Sequence, residues 1–181
     1  MEKRRTSDIV IGSNITNMRK KFNLTQKEVA QVLGVNLSTY KHYELGDRLV
    51  PLDIISDLSK FYKISSNYFF ENMPELSIKE QMEVSNFMHK LQNNREKYIV
   101  FNPKGIKKTL EDTENKVQAR ARLRIRNYRQ SNNKSQQEIA DYLNIDISTY
   151  NKYEKGSRKL NNEVVRKIAE YYNINVSDIL D

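Results

Sequence analysis

Apolar residues return every three or four positions along most of this chain, with polar residues filling the intervals. Val29, Ala30 and Leu33 form one such stripe, and Ile139, Ala140 and Leu143 form another; both have the spacing of one face of an α-helix. Each stripe starts just behind a hydroxyl, Thr25 before QKEVAQVL and Ser135 before QQEIADYL. Glu28 and Glu138 stand three residues after those hydroxyls and complete capping boxes, in which side chains satisfy free amides of the first turn. Gly34 and Asn144 follow, the residue types that most readily take the left-handed conformation ending a helix. Asn36 and Asp146 then cap short helices expected over 37–45 and 147–155, closed by Gly46 and Gly156. Further helices are expected over roughly 52–62 and 162–172, which contain IISDLSKFY and VVRKIAEYY.

The middle of the chain has its own pattern. Val84, Phe87, Met88, Leu91 and Tyr98 fall near helical spacing within an expected helix over 77–98. Its apolar stripe must cover something, either the neighbouring segments or a second chain. Pro103 and Gly105 punctuate the sequence after it. From about Lys107 to Gln130 a long charged helix is expected, with Arg120, Arg122, Arg124, Arg126 and Arg129 crowding its end. The alternation in RARLRIR also suits a strand, but Ile125 and Arg129 match Ile15 and Arg19 of the earlier segment, which favours helix. Those arginines either solvate a helix face or meet phosphate.

The two capped segments are copies of each other. A shift of 110 places residues 13–71 on 123–181 without a gap, and 17 of the 59 pairs are identical. The nonamer STYKHYELG, from Ser38 to Gly46, returns as STYNKYEKG from Ser148 to Gly156. A fixed period of this kind marks a duplicated structural unit. The expected division is an N-terminal arm over 1–12, a first domain over 13–72, a helical linker suited to dimerisation over 73–118, and a second domain over 119–181. The expected fold class is all-α.

Composition narrows the function. The 181 residues carry a net charge of +8 and no cysteine. Disulfides, thiolate catalysis and cysteine zinc sites are therefore excluded, and the basic excess suits nucleic acid or an anionic surface. The apolar run Ile9 to Ile11 is too short for a secretory leader, and no stretch approaches a membrane span, so a cytoplasmic protein is expected. His42 and His89 are the two histidines, far apart in sequence, so no metal cluster is expected. With no Gly-rich phosphate loop and no nucleophile–base set, an enzyme is the least expected reading. No cofactor or small-molecule ligand is evident.

Helix, short turn and second helix with these caps make a helix-turn-helix. TQKEVAQVLGVNLSTYKHYELG and SQQEIADYLNIDISTYNKYEKG…IAEYYNINVSDIL resemble the phage-repressor and Cro-type (XRE-type) helix-turn-helix family. The resemblance covers about two-thirds of the chain and implies two lambda-repressor-like helical domains. It also implies double-stranded DNA as partner, with the second helix of each motif in the major groove. Base-reading candidates are then Leu37, Ser38, Lys41 and His42, and in the second copy Ile147, Ser148, Asn151 and Lys152. Gln26 and Gln136 stand where the family contacts phosphate. Thr39, Arg48, Thr149, Lys155 and Arg158 are further phosphate candidates, which position the protein without reading sequence. Arg19 with Glu44, and Arg129 with Glu154, match a structural ion pair of the family.

The repeated tyrosines, Tyr40, Tyr43, Tyr150 and Tyr153, stand at the family's inward positions and are expected in the core. One departure concerns Leu37 and Ile147, where relatives often carry a base-reading Gln or Arg. An aliphatic side chain there either packs on a thymine methyl or marks a surface turned over to protein contact. The leading function is a sequence-specific DNA-binding transcriptional regulator, a repressor, using both units on a bipartite operator, with possible homodimerisation through the 77–98 helix. The alternative is a protein-interaction regulator, an antitoxin or anti-defence protein, in which one or both units contact protein.

Overall fold

The structure, a computed structural model, describes residues 6–72, 74–99 and 106–181. Its elements in chain order are α1 (Thr6–Lys21), α2 (Gln26–Val32), α3 (Leu37–Leu45), α4 (Leu52–Tyr62), a 3-10 turn (Ser66–Phe69), α5 (Ile78–Asn93) and α6 (Arg95–Tyr98). They continue as α7 (Ile106–Ser131), α8 (Gln136–Leu143), α9 (Ile147–Lys155), α10 (Asn162–Tyr172) and α11 (Ser177–Leu180). No strand occurs among the described residues, and RARLRIR is helical throughout. The expected break at Pro103 and Gly105 lies outside the described residues. The chain divides into two compact units, Met1–Val50 with Ile54–Thr109, and Leu110–Asp181 with Pro51–Asp53.

Local chemistry sets the same helix ends in both units. Thr25 and Ser135 each accept a hydrogen bond from the amide of the glutamate three residues on, and that glutamate accepts one from the cap amide, at 2.7 Å for Glu28 and 2.8 Å for Glu138. Each first helix of a unit ends on an asparagine in the left-handed region, Asn23 at φ 52° and Asn133 at φ 53°. That is the physical reason for the identity of this pair, because Asn tolerates αL better than other residues with a side chain. In the first unit Ile11, Ile15 and Met18 of α1, with Val29, Ala30, Leu33, Tyr40, Ile55, Leu58 and Tyr62, are buried and form the core. In the second unit Ala121, Ile125, Ile139, Ala140, Leu143, Tyr150, Val165 and Ile168 take the same roles. Each large aliphatic side chain so buried contributes about 1.5–3 kcal/mol before entropy is counted.

α1 begins at Thr6, so part of the stretch expected as an arm is helix, and Ile11 and Gly12 pack within the first unit. Gly12 lets α1 lie close against the end of α3. A Cβ there would stand 2.6 Å from the Tyr43 carbonyl oxygen and 2.8 Å from that of Glu44. In the second unit Arg122 occupies the corresponding place, and its guanidinium runs over Gly156. Gln118, upstream on α7, pins the loop before α10: its Nε2 donates to the Leu160 carbonyl at 3.0 Å, and its Oε1 accepts from the Leu160 amide at 2.9 Å.

The apolar stripe of the middle helix is covered by the first unit itself. Val84, Phe87 and Leu91 are buried. The Phe87 ring lies 5.8 Å from Phe22, 5.5 Å from Phe61 and 5.3 Å from Tyr98, centroid to centroid. Glu80 completes a capping box with Ser77 and also accepts from the Ser65 amide at 2.7 Å. Beyond α5, Arg95 grips Glu28 through Nε at 2.6 Å and Nη2 at 2.9 Å, and Nη2 also reaches the Asn23 carbonyl at 3.0 Å.

This last contact makes the attachment pH-dependent. The hydrogen bond from Arg95, outweighing partial burial and helped by the Thr25 cap, holds the Glu28 carboxyl down at about 2 against an ordinary 4.5. A depressed carboxyl stabilises the fold above its unfolded pKa and loses that contribution as pH falls through its folded one. Glu28→Gln should therefore cost about 1 kcal/mol at neutral pH, a value set by the partial exposure of the pair. The difference between the wild-type and variant urea midpoints should shrink between about pH 4.5 and 2, whereas a constant difference would show that the carboxylate charge is not what matters.

Candidate nucleic-acid interface

α3 and α9 are amphipathic in the sense that each unit needs. Tyr40 and Tyr43, and Tyr150 and Tyr153, are buried on the inner face. On the outer face Leu37, Ser38, Lys41 and His42 are exposed, as are Ile147, Ser148 and Lys152, while Asn151 is half-buried. Leu37 retains 37% and Ile147 45% of its accessible surface, so neither is taken up by packing within the chain. The N-caps differ: Asn36 Oδ1 accepts from the Thr39 amide at 2.7 Å, whereas Asp146 makes no side-chain cap bond.

Behind each outer face sits one carboxylate that ties three helices together. Glu44 of α3 accepts from Arg19 of α1 through Nε at 2.6 Å and Nη2 at 3.1 Å, and from Gln26 of α2 through Nε2 at 2.8 Å. Glu154 repeats this with Arg129 at 2.6 and 3.0 Å and Gln136 at 2.7 Å. The third arm of each guanidinium caps a backbone carbonyl, Leu24 at 2.8 Å and Lys134 at 2.9 Å. Burial alone would raise the Glu44 and Glu154 carboxyls. The bonds from the arginines and glutamines outweigh it, and both stay below the usual range. Bidentate arginine–carboxylate geometry is specific as well as strong, so the pitch of each outer helix on its unit is fixed.

The remaining phosphate candidates are placed unequally. In the first unit Arg48 Nη1 donates to Thr39 Oγ1 at 3.3 Å, bringing both to one exposed spot. In the second, Arg158 lies 5.5 Å over the Tyr153 ring instead; Thr149 is half-buried as Thr39 is, and Lys155 is exposed. His42 Nδ1 meets Asp47 Oδ1 at 2.9 Å, which holds the imidazole at the end of the outer face. The arginine run of α7 divides between two faces. Arg120 donates to the Asp181 carbonyl at 3.0 Å, and Arg124 lines a cleft with Asp178 and Asp181. Arg122, Arg126 and Arg129 lie on the side of α9. Gly12 and Thr16 at the matching positions of the first copy are the signal in the sequence that this second face is particular to the second unit.

Two helix-turn-helix units, each with an outer helix locked to its scaffold, define the class. The chain belongs to the helix-turn-helix family of phage-repressor and Cro (XRE) type: the family model matches it twice, at residues 15–69 and 125–179. Curated relatives carry related names. An uncharacterized HTH-type transcriptional regulator, y4aM of Sinorhizobium fredii (strain NBRC 101917 / NGR234), is 30% identical over 68 residues, 38% of this chain and 48% of the relative. The cryptic phage CTXphi transcriptional repressor RstR of Vibrio cholerae is 36% identical over 55 residues, 30% of this chain and 50% of the relative. The chain thus spans about half the length of the curated relatives it matches. No solved structure matches it. Among the described residues no helix is long and apolar enough to cross a membrane, and no group of three or more His, Cys, Asp or Glu side chains could hold a metal ion.

The locked carboxylate makes a stability prediction. Arg129→Ala leaves the Glu154 side chain, 4% exposed, without its guanidinium. Breaking a buried pair on one side costs about 3–5 kcal/mol, which should appear as a large loss in the unfolding midpoint of the second unit. A loss below about 1 kcal/mol, the worth of a surface pair, would show that Glu154 is not held as described.

Proposed function

We propose that the chain is a sequence-specific double-stranded DNA-binding transcriptional regulator, a repressor acting in the cytoplasm, in which α3 and α9 each read a major groove. The observation carrying this reading is the duplication itself: an identical Gln–Glu–Arg lock stands behind two outer faces whose exposed residues differ. The lock itself accounts for Gln26 and Gln136, and the change of Lys41 and His42 to Asn151 and Lys152 alters the outer faces alone, as suits one scaffold that presents two different reading surfaces. Ser38 and Ser148 begin the base-facing turn, flanked by Leu37 and Ile147, whose exposed aliphatic surface suits a thymine methyl. Thr39, Arg48, Thr149, Lys155 and Arg158 serve the phosphates on either side. One chain then carries two readers, and the operator has two unlike half-sites.

A homodimer through the 77–98 helix would add a second pair of readers. Because Val84, Phe87 and Leu91 are occupied by the first unit, it would have to use Ile78 and Met82, which are 80% and 64% exposed.

The double variant Gln136→Ala, Ser148→Ala tests the assignment. Binding to a duplex selected by the wild-type chain should weaken at least about tenfold, because base-edge and docking contacts are each worth about 1–3 kcal/mol. Helicity by circular dichroism should stay unchanged. A retained footprint over both half-sites would overturn the role given to α9.

A further inference from the structure

The two units share a scaffold but not the surface beside the outer helix. In the second unit α7 and α9 border a cleft of about 370 Å3 whose lining includes Arg122, Arg126, Arg129, Lys155, Gln136 and Glu154. Arg122, Arg126 and Arg129 stand at i, i+4 and i+7, one face of α7. Glu154, the one carboxylate of the lining, is already bonded by Arg129 and Gln136. Arg122, Arg126 and Lys155 form no ion pair with any carboxylate among the described residues. Three cations therefore line one open cleft with no carboxylate among the described residues paired to them. The first unit has Gly12, Thr16 and Leu45 at the matching positions, none of them charged, with Leu45 57% exposed and α1 closed down on the end of α3.

Asn151 lines the same cleft, and it is one of the outward residues of α9. A duplex that meets the outer face of α9 must therefore bring its backbone past this cleft. Guanidinium groups suit phosphate oxygens through two parallel N–H donors each. We propose that Arg122, Arg126 and Lys155 form a phosphate clamp that grips the duplex backbone beside α9, a device the first unit lacks. The proposal rests on the DNA-reading function above and adds an order to it. The second unit supplies most of the salt-sensitive affinity and anchors the chain, and the first unit reads its half-site from that anchor. The positions also account for part of the arginine run: two of its members serve the clamp, while Arg120 and Arg124 serve the chain's last residues.

Counterion release gives a direct readout, since each phosphate contact steepens the dependence of log K on log salt by about one. Anisotropy titrations of the full chain on a random-sequence duplex should be compared with those of Arg122→Gln, Arg126→Gln, Lys155→Gln. The triple variant should lose about three units of slope and bind at least tenfold more weakly at low salt, with an unchanged thermal melt. A matched removal of charge from the middle helices of the first unit, Lys79→Gln, Lys90→Gln, Lys97→Gln, should leave the slope nearly as it was. In the reverse direction, Thr16→Arg with Leu45→Lys should steepen it by about two, which tests the location even if the clamp variant folds poorly. An unchanged slope in the clamp variant, or an equal loss in both triple variants, would overturn the clamp alone. A wild-type chain that binds no duplex would overturn the DNA-reading function, and the clamp with it.

Discussion

The structure depends on a buried carboxylate. Glu44 in the first unit and Glu154 in the second are the points where three helices are fixed to one another, through an arginine from the first helix and a glutamine from the second. Such a group is costly to bury, and it is tolerable only because its oxygens are met by a bidentate guanidinium and an amide. The return is geometric rather than energetic. A short helix of nine residues has little stability of its own, yet here its pitch and its exposed face are set by a lock that allows few alternatives.

A rigid mount also lets the exposed face vary freely. Tyr40 and Tyr43, like Tyr150 and Tyr153, carry the packing, so Lys41 and His42 or Asn151 and Lys152 can change with no consequence for the core. This separation is what makes duplication useful: one scaffold carries two different surfaces. The same logic extends to the first helix. Gly12 closes α1 against α3, whereas Arg122 lays its guanidinium on Gly156 and borders a basic cleft. Three matched positions, Gly12, Thr16 and Leu45 against Arg122, Arg126 and Lys155, set the difference between the two flanks.

Most of each unit was legible in the sequence because its signals are local. Capping boxes at Thr25 and Ser135, closing residues Gly46 and Gly156, and apolar spacing on α2 and α8 act within one or two turns. What was not legible depended on partners distant in sequence. The stripe of Val84, Phe87 and Leu91 announces a covered face but not what covers it, and only the aromatic contacts with Phe22 and Phe61 assign it to the first unit. The start of α1 at Thr6 was hidden because Thr6 to Val10 has no clean helical stripe, the buried residues beginning in earnest at Ile11. The arginine run looked uniform along the chain, since a sequence does not state where the helix sends each side chain. In the candidate interface, the duplicated outer residues could be placed on one face from their spacing. The unequal surroundings of Thr39 and Thr149, or Arg48 and Arg158, required the loops.

On the reading proposed above, both outer helices read DNA. Selection of duplexes from a random pool by the full-length chain tests it most directly, because the enriched sequence records every surface that discriminates among bases. The expected result is a bipartite motif with two unlike half-sites, and separate loss of one half when either unit's base-facing residues are replaced. A single short motif, or no enrichment at all, would contradict it.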